Sequence, residues 1–328
     1  MKTTIINTPL NLAHTPTPIH RLNRISDKWN GDLWIKRDDM TGSVLTGNKV
    51  RKLEYLLADA QAEKADTIIT CGGIQSNHCR ATAFACAQIG FKCILILRSS
   101  SPAEMEGNLL LNHLAGAELH FVSNEQYYSD LTGIFNKLAT EVKSNGGKAY
   151  VIPEGGSNGI GAWGYVEALR EIRKQCYDLR LKPNRIVCAT GSGGTHAGLL
   201  AGALLENWDV EIVSVSVCYD KDETAGIILG IVNSMIDKFN LNICVSKSMI
   251  KVIDGYIGEG YAKANKDVLD VIKEVAQNEG IVVDPVYTGK AVLGLKSELL
   301  KGELEGTTLF LHTGGVFGLF SFREKLAS

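Results

Sequence analysis

Two short stretches hold the residue types from which chemistry could be built. The first is Thr190-Gly191-Ser192-Gly193-Gly194-Thr195. It sits between an apolar, β-branched run (185–189) that reads as a buried parallel strand and a segment with Leu, Ala and Gly at helical spacing. Thr195 is placed to cap that helix. Glycines let such a turn bring several backbone N–H groups to one point, beside the positive end of a helix. That makes an anion site, and phosphate is the usual anion. The loop has neither the Gly-Lys-Ser/Thr ending of a nucleotide P-loop nor G-x-G-x-x-G spacing, so a lone monophosphate fits it better. A βα turn that binds nothing is the plainer alternative.

The second stretch is Gly47-Asn48-Lys49-Val50-Arg51-Lys52. Asn48 is expected to cap a helix over 49–62. Three cations then fall in its first turn, where the dipole repels each by a few tenths to about 1 kcal/mol. Solvated surface charges would account for them. So would a nearby anion and one lysine whose ammonium is disfavoured, as an amine that must form a Schiff base requires. Lys49, next to the cap, is better placed for that role. Lys52 reads as a surface or structural residue.

The elements around these stretches alternate. Residues 15–18 are extended, and 19–29 read as a short helix ended by Asn30-Gly31. A strand over 32–36 precedes the charged Arg37-Asp38-Asp39. Strands are expected over 67–70, 92–97, 118–122, 149–152, 211–217 and 307–311. Helices are expected over 78–88, 108–115, 125–144, 162–175, 225–239 and 261–278. Such βαβα order argues for an α/β protein of two three-layer domains, each a parallel twisted sheet with helices on both faces. Ligands bind beyond the carboxyl ends of such strands. Loops 47–49, 71–77, 190–195 and His312-Thr313-Gly314-Gly315 are therefore the candidate walls of one cleft.

At 328 residues with 45% hydrophobic content the chain can bury a large core. A net charge of -2 gives no reason to expect nucleic acid or an anionic membrane as partner. No apolar run approaches a membrane span, and the N-terminus lacks a signal peptide's apolar core. The eight cysteines, with Cys86, Cys93, Cys188 and Cys218 in apolar runs, read as reduced residues of a cytoplasmic protein. The histidines show no metal-ligand spacing, so no metal is expected.

A phosphate cradle together with a Schiff-base lysine is the combination that pyridoxal phosphate demands. The segments SVLTGNKVRKLEYL, CGGIQSNHCRA, VIPEGGSNGIGAWGY, ATGSGGTHAGL, DPVYTGKA and HTGGVFGLF resemble those of D-cysteine desulfhydrases and 1-aminocyclopropane-1-carboxylate deaminases. These are pyridoxal-phosphate enzymes of fold type II, with the tryptophan-synthase-β architecture. The resemblance runs over nearly the whole chain. It implies a large cofactor domain (1–50 plus 161–328), a small substrate-side domain (51–160), and a homodimer acting on a small amino acid.

For the site, the resemblance implies Lys49 as the Schiff-base lysine. Ser76, Asn77 and His78 would hold the substrate carboxylate, with Asn77 also touching the cofactor. Thr190, Gly191, Ser192, Gly193, Gly194 and Thr195 would bind the phosphate. Tyr287 and Tyr261 would be the active-site tyrosines, with Thr313 at the pyridine nitrogen and Thr288 beside the substrate. Thr46 departs from a glycine common in the family, with little consequence expected. Ser76 could instead merely cap a helix, Tyr287 could be an ordinary half-buried tyrosine, and His196 and His312 read as satisfied loop histidines. The deaminases carry Glu after the tyrosine and Leu before the later Gly-Gly, where this chain has Thr288 and Thr313. That pair points to β-elimination of D-cysteine by a carbon–sulfur lyase. Ring opening by a hydrolase-type deaminase is the alternative. A nucleotide-binding oxidoreductase would need a G-x-G-x-x-G turn that is absent. A protein that binds the cofactor without turnover stays open.

Overall fold

The computed structural model describes residues 6–99 and 104–327. The ends of the expected large domain (1–5 and 328) and residues 100–103 of the expected small one lie outside them. The first strand, β1 (Ile19–Arg21), is followed by α1 (Asn23–Lys28), β2 (Asp32–Lys36) and α2 (Asn48–Ala62). Next come β3 (Thr67–Gly73), α3 (Asn77–Ile89), β4 (Lys92–Arg98), α4 (Gly107–Leu114), β5 (Glu118–Val122), α5 (Asn124–Ser144) and β6 (Ala149–Val151). Then follow α6 (Gly159–Asp178), β7 (Arg185–Thr190), α7 (Gly194–Leu205), β8 (Glu211–Ser216), α8 (Lys221–Phe239) and β9 (Lys251–Ile253). The chain closes with α9 (Lys266–Glu279), α10 (Thr288–Leu300), β10 (Thr307–Leu311) and α11 (Arg323–Ala327).

The strands form two sheets. One has the order β1-β2-β10-β7-β8-β9 and the other β5-β4-β3-β6. Every pairing is parallel except β1 with β2, where Ile19 faces Lys36. This corrects the expected helix over 19–29. Its first residues, leaving the rigid Pro18, add an antiparallel edge strand, and the helix begins only at Asn23. The sequence reading also missed β9 and α10, and it started α9 too early. Tyr261 lies in the turn before that helix.

Strand side chains alternate between two cores. Ile186 and Cys188 of β7 join Leu309 and Leu311 under α6, α7 and α8, while Val187 and Ala189 join Phe310, Leu33 and Ile35 under α1, α9 and α10. In the smaller sheet Ile68 and Leu95 face one side and Ile69 and Ile94 the other. Each sheet is therefore the middle of three layers. The expected division at residue 50 falls inside the continuous helix α2, which packs on both α6 and α3.

A buried ionic cluster ties this helix down. Arg51 makes paired contacts of 2.9 Å with Asp38 and with Glu171. Thr17 and Tyr165 hydroxyls donate to Asp38 at 2.7 and 2.8 Å, and Lys36 bonds Glu171 and, at 2.6 Å, Gln175. One of the three cations of the Lys49 helix is thus an internal staple rather than a surface charge.

Candidate active site

The N-termini of α2, α3, α7 and α10 approach one cleft from both sheets. The Lys49 wall hangs on the loop after β10. Asn48 N–H donates to Thr313 O at 3.0 Å, and Gly47 holds φ at +93° where a Cβ would stand 2.9 Å from that oxygen. Only glycine suits that position. Thr46, buried beside it, donates its hydroxyl to Asp39 O at 2.5 Å. Gly47, not Asn48, occupies the cap position. The Asn48 side chain is spent elsewhere, donating to Thr195 Oγ1 and accepting from Lys49 Nζ, each at 3.0 Å. Burial pulls the Lys49 amine down to about 8, with Asp284 opposing and Arg80 assisting.

The glycine loop forms the second wall. Gly193, at φ +81°, caps α7, so Thr195 does not; its hydroxyl accepts from Asn48 instead. Helix geometry leaves the N–H groups of Thr195 and His196 without intrahelical acceptors. Gly194 N–H donates to Ser157 Oγ at 3.2 Å, and Ser157 bonds Ser192 Oγ at 2.8 Å. A Cβ on Gly194 would stand 2.9 Å from Lys52 Nζ. Lys52 is therefore no surface residue: it is 1% exposed and donates only to Gly155 O and Ser157 Oγ, at 3.2 and 3.1 Å. Burial, with Lys49 adding to it, holds its amine well below an ordinary lysine. Among the described residues no carboxylate pairs with it. A buried cation lacking a counter-ion, beside orphan N–H groups at a helix N-terminus, is a site made for an anion. The i, i+3 spacing of Lys49 and Lys52, which puts both on one helix face, was the signal that could have found it. Thr190 contributes backbone here. Its hydroxyl bonds Ser214 Oγ at 2.6 Å, in a chain that ends at His196 Nδ1.

The third wall is the start of α3. Ser76 does cap it, accepting from Cys79 N–H at 3.2 Å, so its hydroxyl proton is spent on no backbone group. Asn108 Nδ2 donates to Asn77 Oδ1 at 2.9 Å, so the Asn77 NH2 group is the part left for the cleft. The Thr70 hydroxyl donates to Ile152 O and must accept from His78 Nε2, 2.8 Å away. His78 is thus a neutral Nε2–H tautomer, and among the described residues its buried Nδ1 lone pair has no partner. Burial, then Lys49 and Lys52, hold it far below the ordinary histidine range. Its side chain can accept but not donate toward the cleft, so of the backbone and side-chain donors expected for a carboxylate here His78 offers its backbone N–H.

The fourth wall carries the tyrosines. Tyr261 and Tyr287 bring their hydroxyls within 2.5 Å although they are 26 residues apart, and Lys49 Nζ lies 5.9 Å from the Tyr287 ring centre. Burial raises both phenols, so both stay protonated. Thr313 lines the cleft, and Thr288 does not. The fully buried Thr288 hydroxyl donates to Asp284 Oδ1 and accepts from Asp284 N–H, each at 2.7 Å. This corrects its expected place beside the substrate: in the first turn of α10 it faces inward. His312 is a satisfied loop histidine, bonded to Val282 O and Gly314 N–H. His196 lies on α7 rather than in the loop, and among the described residues its Nε2 has no partner.

The cleft encloses about 1120 Å³ of free space, part of it open to solvent. Lys49, Ser76, Asn77, His78, Tyr261, Tyr287, Thr313 and the whole 190–195 loop line it together. Lys52, Arg98, Glu154 and Cys218 line it too, and the sequence reading gave them no role there.

Comparison with known proteins matches this architecture. The family model described as "Pyridoxal-phosphate dependent enzyme" matches residues 10–314. The chain is 44% identical, over 97% of its length and 80% of the relative, to the Arabidopsis thaliana bifunctional D-cysteine desulfhydrase/1-aminocyclopropane-1-carboxylate deaminase, mitochondrial. It is 39% identical to a D-cysteine desulfhydrase of Klebsiella pneumoniae subsp. pneumoniae, over 97% of both chains. Among solved structures, an ACC deaminase homologue superposes with a TM-score of 0.90 at 38% identity, covering 97% of this chain and 95% of the other.

Proposed function

The chain belongs to the pyridoxal-phosphate-dependent enzyme family, and from that premise we propose that it eliminates hydrosulfide from D-cysteine, yielding pyruvate and ammonia. The residues present fit the cofactor. The uncompensated Lys52 and the N–H groups opening α7 answer to its phosphate, and the low-pKa amine of Lys49 to its aldehyde. Bound, pyridoxal phosphate supplies a Schiff-base carbon and a sink for the electrons left at the substrate's Cα.

The chain's own residues do the rest. Lys52, Ser192 and the 193–196 backbone hold the phosphate end. The Ser76 hydroxyl and the first N–H groups of α3 hold the substrate carboxylate, as helix N-termini hold anions. The Asn77 amide fixes the plane between them. Lys49 Nζ, neutral for much of the time near pH 8, takes the Cα proton. The Tyr287 hydroxyl, paired with Tyr261, stays protonated and can donate to the departing sulfur.

The observation that carries the choice of substrate is the wall at Thr313. It presents a hydroxyl, while the nearby Asp284 carboxylate is taken up by Val286, Tyr287 and Thr288 N–H groups and the Thr288 hydroxyl. A hydroxyl leaves a ring nitrogen nearer neutral than a carboxylate would. A weaker electron sink suffices when the leaving group is good. A thiol of pKa about 8.5 leaves far more readily than water, of pKa about 15.7, so D-serine should be slow. Deamination of 1-aminocyclopropane-1-carboxylate to 2-oxobutanoate and ammonia is the second reading, favoured by the activities in the relatives' names. Keto-acid release from both substrates tests the choice. Faster release from the cyclopropane by the wild type would overturn it, leaving cofactor and fold untouched. The eight free cysteines suit a cytoplasmic protein, and the family resemblance suits a homodimer.

A further inference from the structure

The Tyr261 side chain reaches its partner Tyr287 from a turn that does not hold itself. Gly260 stands at φ +128° and Ala262 at φ +58°, and a left-handed conformation is unfavourable for a residue with a Cβ. Contacts from other elements must therefore keep the turn in place. One comes from α10. The buried Lys290, in its first turn, donates through Nζ to Ile257 O at 2.6 Å and to Gly260 O at 2.9 Å. These bonds fix the backbone of the turn. The tilt of the Tyr261 ring is set by what lies against it.

Arg98 lies against that ring. It is the last residue of β4 in the smaller sheet, half-buried, and it lines the cleft together with Tyr128, Tyr261 and Tyr287. Its guanidinium stands 4.9 and 5.0 Å from the ring centres of Tyr127 and Tyr128 in α5, and it bonds the Tyr128 hydroxyl. Held there, it faces the Tyr261 ring across the cleft, 5.5 Å from its centre. A cation within about 6 Å of a ring centre is attracted to it, more strongly as water is excluded. Beyond Tyr261 comes the Tyr287 ring, 5.9 Å away between centres and at 72°, with the two hydroxyls 2.5 Å apart. A phenol hydroxyl sits at the end of a rigid ring, so any tilt of the ring displaces the hydroxyl most.

We infer that Arg98 is a positioning residue for the elimination: by holding the Tyr261 ring it sets the Tyr261 hydroxyl against that of Tyr287, and so readies Tyr287 to protonate the departing sulfur. The inference deepens the desulfhydrase reading above and rests on it. In that step the Cβ–S bond breaks, its electron pair leaves with sulfur, and sulfur takes the Tyr287 proton. Lys49 Nζ gains one proton from Cα as Tyr287 loses one, so passing one back restores both groups. Meanwhile the Tyr261 hydroxyl donates to the Tyr287 oxygen, a charge-assisted bond that needs the two hydroxyls in register. The Arg98 charge also opposes the burial that raises the Tyr261 phenol, which favours brief negative charge on the pair. Arg98 belongs to the small-sheet side of the cleft and the two tyrosines to the other. The proton donor is therefore complete only when both sides are in place.

The test uses the holoenzyme and two substrates that differ in the leaving group, D-cysteine and β-chloro-D-alanine. Chloride leaves without a proton, whereas sulfur is helped by one. In Arg98→Leu and in Arg98→Gln, kcat for D-cysteine should fall at least about tenfold, part of the roughly 10²–10⁴ that a positioned acid supplies. KM should change by less than about twofold, and kcat for β-chloro-D-alanine should stay within about threefold of wild type. Arg98→Lys keeps a cation over the ring and should recover most of the loss. Backbone hydrogen exchange over residues 254–264 should run at least about threefold faster in the two uncharged variants, as loss of one cation–ring contact implies. If both substrates slow alike, or neither slows, or exchange is unchanged, Arg98 does not position the tyrosine pair, and pyruvate release from D-cysteine by the wild type still upholds the desulfhydrase reading. If exchange depends on Arg98 but the wild type releases pyruvate only from β-chloro-D-alanine, the hold on Tyr261 stands and the desulfhydrase reading fails.

Discussion

At the scale of single residues, Lys49 and Lys52 share one helix face and one low-dielectric setting, yet they have opposite duties. Lys49 keeps a neutral amine available because burial lowers its pKa to about 8. In the apoprotein, reductive attachment of pyridoxal at Lys49 should therefore rise with pH around 8, well before ordinary lysines near 10.5. Peptide mapping after borohydride treatment reads it, and attachment that persists in Lys49→Ala would refute the assignment. Among the described residues Lys52 has no counter-ion, so charging its amine costs stability until an anion arrives. Lys52→Met should raise the apoprotein's melting temperature while weakening cofactor binding at least about tenfold. A variant that binds cofactor normally would mean that the cradle holds something else.

Helix starts are the elements that make this site, and Ser76 shows how one residue can serve both structure and chemistry. Its oxygen caps α3, while its hydroxyl lines the cleft. Ser76→Ala should cost about 1 kcal/mol of stability as well as turnover, which would confound the two roles. Ser76→Asp separates them. A carboxylate still caps a helix and suits its dipole, but it repels the substrate carboxylate. Its melting temperature should stay near wild type while kcat/KM falls by at least about a hundredfold, some 3 kcal/mol. Retained kcat/KM would move substrate binding elsewhere.

The whole molecule depends on the ionic cluster under α2, which joins the N-terminal segment (Thr17), β2, α2 and α6. For Asp38 and Glu171, burial opposes ionisation, but Arg51 and Lys36 together outweigh it and hold both below their ordinary values of 3.8 and 4.5. The unfolded chain then binds more protons than the folded one near those values. Stability from the cluster is complete above about pH 5 and is lost as pH falls through the folded pKa values. Arg51→Met should leave Asp38 buried and uncompensated, costing about 3–5 kcal/mol. Denaturant unfolding at pH 7 and at pH 4 measures both effects. A wild type equally stable at the two pH values would rule out this account of the cluster.

By itself the sequence determined the parallel α/β order, the glycine loop between β7 and α7 and the place of Lys49 at a helix start. Those rest on local causes: apolar runs between glycines, and a helix start where backbone N–H groups are free by geometry. It also identified the satisfied histidine at 312 and the capping duty of Ser76, which the structure shows. Only the tertiary structure decided what depends on partners far along the chain. Asn48 and Thr195 could each have capped their own helix, but they bond each other across 147 residues. Thr288 follows the active-site tyrosine in sequence, yet the first turn of α10 points its hydroxyl at Asp284 and away from the cleft. Lys52 and Arg51, adjacent cations, went to the cleft wall beside Ser157 and to an internal salt bridge because neighbouring residues in a helix lie about 100° apart. Local pattern sets which residue types begin a helix. What each side chain then touches is set by packing between elements, which the sequence of one chain does not display.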